Sequence, residues 1–176
     1  MYLNFCTGDF LDRIKLSTDG DQPNMVLFDI QTSQKQAITN LVTQQKMPVL
    51  QSVPIVTMRL EQLNGQTSTE ALKDTTNKRW RGLFSREYRV TFRDSLISTE
   101  KVVKGEWKGT VKDVNAAVPI SLEDGYAERN SIKIGDTLTF NVQGTLLTTV
   151  VASYRDVDWG GVQTNFLVLF PKGVLE

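Results

Sequence analysis

Asp124, Asp136, Asp156 and Asp158 are the residues whose type could support hydrolytic or metal chemistry. A Ca²⁺ site takes clustered oxygen ligands, and glycosidic cleavage takes two facing carboxyl groups. All four fall at turns or helix starts, where Asp is favoured for its local backbone hydrogen bonds, and that structural role is the one expected of them. Ser85 and Ser153 lack the context of a nucleophile elbow, and the chain contains no histidine to deprotonate them. That absence excludes Ser-His-Asp and Cys-His catalysis and removes the commonest transition-metal ligand. Cys6 is the only cysteine, so no intrachain disulfide forms. Neither G-x-G-x-x-G nor G-x-x-x-x-G-K-[ST] occurs, so no nucleotide or other cofactor is expected on this chain. It reads as a non-enzyme.

Binding surfaces come next. Lys78, Arg79, Arg81, Arg86, Arg89 and Arg93, with Trp80 and Tyr88 interleaved, have the look of a nucleic-acid surface. Glu87 and Asp94 stand among them, and 20 basic against 20 acidic side chains leave a net charge of zero. A solvated or partner-facing surface is therefore expected, with no nucleic-acid partner. Trp159, between Asp158 and the Gly160-Gly161 pair, could stack a ligand; the reading adopted folds it over a seam between two lobes. The candidate seam or partner contacts are thus Trp159, Asp158, Asn165, Arg89 and Arg93.

Several elements must position these residues. The sequence predicts a turn cluster over 18–24. Residues 25–30 (MVLFDI) and 165–170 (NFLVLF) are unbroken apolar runs, the pattern of strands covered on both faces. Thr32 and Ser33 offer N-caps, Ser33 with Gln36 at capping-box spacing, for a helix ending near Lys46. Alternation marks strands over 53–63 and 86–94, the latter with Tyr88, Val90 and Phe92 inward and Thr91 and Arg93 in solvent. Residues 66–84 read as a loop with one short helix.

Further along, 118–122 is a strand, and Ser121 with Asp124 signals a cap for a short helix through Tyr126. Residues 132–142 (IKIGDTLTFNV) lead through Gln143-Gly144 into 145–154 as a hairpin. No run reaches the roughly 20 apolar residues that span a bilayer, so the chain as it stands reads as soluble.

The order helix, x-x-I-G-D-x-L-x-F, hairpin, V-D-W and N-F strand over 118–176, with the closing FPKGVLE, resembles the extracytoplasmic domain of FtsX-like ABC transporter permeases, and within them the YbbP-like branch. The strand, helix and strand upstream match in layout the first half of the porter-like lobe of MacB-type periplasmic domains. The resemblance implies an α+β fold, with a porter-like βαβ lobe over 1–110 and 162–176, its second half missing. In that lobe 2–16 would be a helical stub continuing a membrane helix, with Phe10, Leu11 and Ile14 on its apolar side, and 165–170 would lie in the sheet beside 25–30. An inserted mostly-β, sabre-like lobe would occupy 111–161. It also implies a periplasmic domain of an inner-membrane permease that couples ATP-driven helix motion to a client, in export, lipid or lipoprotein handling, or mechanotransmission. ATP would be bound by a separate cytoplasmic ATPase subunit, and the permease would form a homodimer. The missing half would leave a strand edge unpaired, and a dimer through that edge is expected. Two alternatives from other classes are a free-standing α/β ligand-binding or regulatory domain, with a closed sheet and a deep apolar pocket, and a carboxylate hydrolase.

Overall fold

Alternating apolar and polar residues recur over 56–63, 87–92 and 137–157, and the computed structural model makes each stretch a strand or a pair of strands. It describes residues 25–73, 78–112, 116–160 and 164–176. The chain divides into two compact units, Met1–Ser52 with Gly160–Gln163, and Val53–Trp159 with Thr164–Glu176.

In the first unit the described helix is α1, Lys35–Gln44. Its N-cap is Gln34 rather than Thr32 or Ser33, and the Gln34 side-chain oxygen accepts from the Gln31 backbone N–H at 3.2 Å. Residues 25–30 are neither helix nor strand, and Phe28 is 70% exposed. The apolar run is interrupted by Asp29, whose φ of 56° lies in the left-handed region and breaks the extended ladder a strand requires. The stub over 2–16, the turn cluster over 18–24 and Cys6 lie outside the described residues.

Among the described residues the second unit has eight strands: β1 Val56–Leu63, β2 Gln66–Thr67, β3 Glu87–Phe92, β4 Glu100–Gly105, β5 Val118–Glu123, β6 Thr137–Val142, β7 Thr145–Val157 and β8 Val168–Phe170. Helices α2 (Ser68–Lys73), α3 (Lys78–Ser85) and α4 (Asp124–Asn130) connect them. Strand β1 pairs antiparallel with β3 on one side and with β6 on the other. Strand β3 continues in parallel to β8, β8 antiparallel to β5, β5 parallel to β7, and β7 antiparallel back to β6. Six strands therefore close a ring, which removes their edges. Strand β2 hangs from β1, and β4 pairs with the second half of β7, beyond the stretch used by β6.

Hence β8 lies between β3 and β5 with both edges paired, not beside 25–30, and it offers no edge for a dimer. Pairing also runs across residues 110 and 161, where the sequence reading divides two lobes: β1 joins β6, β4 joins β7, and β8 joins β5.

The turns follow local chemistry. Asn64-Gly65 and Gln143-Gly144 each place both residues at positive φ (51° and 81°, 51° and 96°), as two-residue hairpin turns require. Asn64 also fastens β1 to the Gly135-Asp136 turn. Its side chain donates to Asp136 Oδ1 at 3.0 Å and accepts from the Thr137 N–H at 2.8 Å.

Residues 66–84 form β2 and two helices rather than a loop with one. The capping box that forms is Thr67 with Glu70. Glu70 Oε2 accepts from the Thr67 N–H and hydroxyl at 3.0 and 2.9 Å, and Thr67 Oγ1 accepts from the Glu70 N–H at 3.3 Å. At α4 the cap is Glu123, which accepts from the Tyr126 N–H, while Ser121 is buried in β5.

Inside the ring, Met58, Leu60, Val90, Ile120, Leu122, Phe140, Val168 and Phe170 form the apolar core. Phe140 stands edge-on to Tyr88 and Phe170, with centroids 5.5 and 6.0 Å apart.

Candidate functional site: a buried arginine–glutamate cluster on the outer face of the ring

Successive residues of a strand face opposite sides. On β3, β8 and β5 the residues alternating with the core, Thr91, Leu169 and Ser121, are buried too. The outer face of this wall is therefore covered. Its cover is the chain from Arg93 to Val111, held by Arg93 N–H to Phe170 O (3.1 Å), Glu106 N–H to Ala152 O (3.2 Å) and Val111 N–H to Lys172 O (3.0 Å). Gly173 allows the close approach just after β8, because a Cβ there would run into the Val111 carbonyl oxygen.

A bulge between Ile120 and Ser121 in the β5–β7 pairing shifts the faces of β7. Val151 lies in the apolar core, whereas Ser153 pairs with Ser121 on the outer face, and Arg155 and Val157 alternate from it. The Ser153 hydroxyl donates to Ser121 Oγ at 2.9 Å, which makes Ser153 a buried structural residue.

Arg155 is wholly buried and meets Glu100, the first residue of β4. Glu100 Oε1 accepts from Arg155 Nη1 at 2.8 Å and from Arg93 Nη2 at 2.9 Å. Arg155 Nη2 also donates to Phe166 O at 3.0 Å. Burial lowers the Arg155 guanidinium to about 10, against the opposing pull of Glu100. Burial lowers Arg93 as well, again opposed by Glu100. The cluster thus sets two guanidinium groups against one carboxyl oxygen.

Beside it, Thr99 O accepts from the Asp158 N–H at 2.9 Å, and the Thr99 hydroxyl donates to Asn165 Oδ1 at 3.3 Å. Asn165 Nδ2 donates to Asp158 O at 2.7 Å. These bonds tie the end of β7, the start of β4 and the approach to β8. They bracket the chain that leaves this unit after Trp159 and returns at Thr164.

Three of the five residues singled out from sequence thus converge: Arg93 in the charge cluster, and Asp158 and Asn165 in the adjoining clamp. Arg89 is exposed on β3 and takes no part. Trp159 is 53% exposed. Glu100 and Arg155 escaped the sequence reading. Arg155 sits in a charged turn-like stretch, and the only signal was the continued alternation from Val151 through Ser153 to Val157.

The four aspartates do not gather. Asp136 accepts from Asn64 and from the Lys133 N–H at 2.7 Å, Asp124 opens α4, and Asp156 is exposed. Among the described residues no group of three or more His, Cys, Asp or Glu side chains could hold a metal ion, and no helix is long and apolar enough to cross a membrane.

No protein-family model matches the chain, and no solved structure matches it. It is 28% identical over 169 residues to YbbP of Escherichia coli (strain K12), described as an uncharacterized ABC transporter permease. The match takes in 96% of this chain and 19% of that relative, so the chain spans about a fifth of the relative's length. This similarity supports an ABC transporter permease-like domain.

Proposed function

We propose that this chain is the extracytoplasmic domain of an FtsX-like, MacB-like ABC transporter permease of the YbbP-like branch. It would relay ATP-driven movement of membrane helices to a periplasmic client. The observation that carries this reading is the 28% identity to a permease, sustained over nearly the whole chain. In this reading the domain is not an enzyme. ATP is hydrolysed by a separate ATPase subunit on the cytoplasmic side, the permease acts as a homodimer in the inner membrane, and the client is gripped or pushed rather than chemically altered. Relaying force requires a part that keeps its shape. A closed ring carries load through all its strand pairs at once, and the cluster at Arg93, Glu100 and Arg155 fastens the outer strand and the 93–111 cover to it.

The test uses the complete parent protein, with Lys108→Cys in a Cys6→Ser background. Lys108 is exposed on the cover. A membrane-impermeant maleimide should label intact spheroplasts, and an environment-sensitive fluorophore at the same site should respond to ATP when the ATPase subunit is present. Labelling only after the inner membrane is opened would overturn the location, and a fluorophore indifferent to nucleotide would overturn the coupling.

A further inference from the structure

Ring closure leaves this unit with few open edges. Strand β2 has two residues, so the one long strand at an end of the sheet is β4, which pairs with β7 on one side and with no other strand among the described residues. An open edge presents unpaired N–H and C=O groups to any extended chain.

The side chains narrow what that chain is. A bulge between Val102 and Lys104 places Lys101 opposite Asp156 and Lys104 opposite Tyr154, and both β7 residues lie on the same face. The bulge thus brings Lys101 and Lys104 to one face although they are three positions apart. Both are exposed, Val103 is 50% exposed, and neither ammonium makes an ion pair among the described residues. Lys104 leans on the Tyr154 ring, 5.9 Å from its centroid.

A second copy is a poor match. Antiparallel self-pairing centred on Val102 and Val103 sets Lys101 against Lys104, and like charges directly opposite destabilise a ladder. Lysines and a bulge blunt an edge against its own kind, yet they favour a strand of opposite charge. We infer that β4 is a docking edge for an extended acidic segment of a partner protein, added as a further strand with its carboxylates beside Lys101 and Lys104. This inference rests on the edge and its charges, not on the permease reading.

The test titrates the isotope-labelled chain with a short peptide of alternating glutamate and valine, and with its lysine counterpart. Binding of the acidic peptide should shift the amide signals of residues 100–106, weaken as salt rises, and be absent for the lysine peptide. Lys101→Glu with Lys104→Glu, two exposed substitutions checked for folding by circular dichroism, should weaken it about tenfold, the size expected when two exposed charge pairs turn repulsive. Three results would overturn the inference: no shifts at any peptide concentration, shifts away from β4, or equal affinity in the double variant. Dimerisation of the peptide-free chain through β4, seen by light scattering, would overturn it in favour of a second copy.

Discussion

The two faces of one strand wall are built on opposite terms. Inside the ring, β3, β5 and β8 contribute Val90, Ile120, Leu122, Val168 and Phe170 to a continuous apolar cluster. Outside, the alternating residues Thr91 and Ser121 are buried, and Arg155 meets the Glu100 carboxyl of the covering segment, which also holds Arg93. The inner face gains from removal of apolar surface from water and from close packing. The outer face costs desolvation of three charges and gains it back through short charge-assisted bonds and fixed geometry. Burial alone therefore does not say what a face does: one specifies the ring, and the other fastens chain segments to it.

Removing Glu100 should test that difference most sharply. Glu100→Ala leaves Arg155 buried without its carboxylate and should cost about 3–5 kcal/mol in urea unfolding. Replacing the whole cluster by Arg93→Met, Glu100→Leu and Arg155→Met should return stability to within about 2 kcal/mol of the parent, because the buried charges leave together. A triple variant as unstable as the single one would mean that the cluster supplies net stability rather than fastening.

On the inner face, Phe140→Ala should cost about 3–4 kcal/mol by opening a cavity, and no charge change nearby should rescue it. Partial recovery is expected only from enlarging a packed neighbour.

A smaller effect is expected where the ring is closed between β1 and β6. Asn64→Ala removes two side-chain bonds and puts an ordinary residue at positive φ, and should cost about 1–2 kcal/mol. Asn64→Gly, which accepts that φ, should cost less. Equal losses would assign the whole effect to the bonds.

The smallest effect concerns the surface capping box. Hydrogen bonds from the Thr67 N–H and hydroxyl hold the Glu70 carboxyl below its ordinary value. A carboxyl depressed in the folded state stabilises above its unfolded pKa, and that contribution is lost as pH falls through the folded value. Glu70→Gln should flatten this acid-side slope of stability and leave the neutral-pH fold intact.

Much of the second unit was legible because its signals are local. The alternation of Leu138 and Phe140, the Gln143-Gly144 turn and the start of β5 at Val118 each depend on a few consecutive residues. The misses have particular reasons. Thr91 reads as a solvent residue by alternation, but the outer face of β3 is buried at Thr91 while Arg89, on the same face, stays exposed. Capping boxes at Ser33 and Ser121 have the right spacing, whereas the one that forms, Thr67 with Glu70, lies in a polar stretch that reads as a loop with one short helix. Strand β4, with Lys101 and Lys104 about two valines, shows no periodicity until β7 supplies its partner. Of the candidate site, Asp158 and Asn165 stood out by residue type, and Glu100 did not.

By itself the sequence determined that this stretch carries no histidine and a single cysteine, and it determined most of the strand and turn periods. Only the tertiary structure decided that β8 would sit between β3 and β5, that six strands would close, and that Arg155 would be buried against Glu100. Period is a property of one segment, whereas pairing, closure and the burial of a second face depend on residues far apart in the chain. The bulge at Ser121 that turns Arg155 to the outer face exists only once β5 and β7 are side by side.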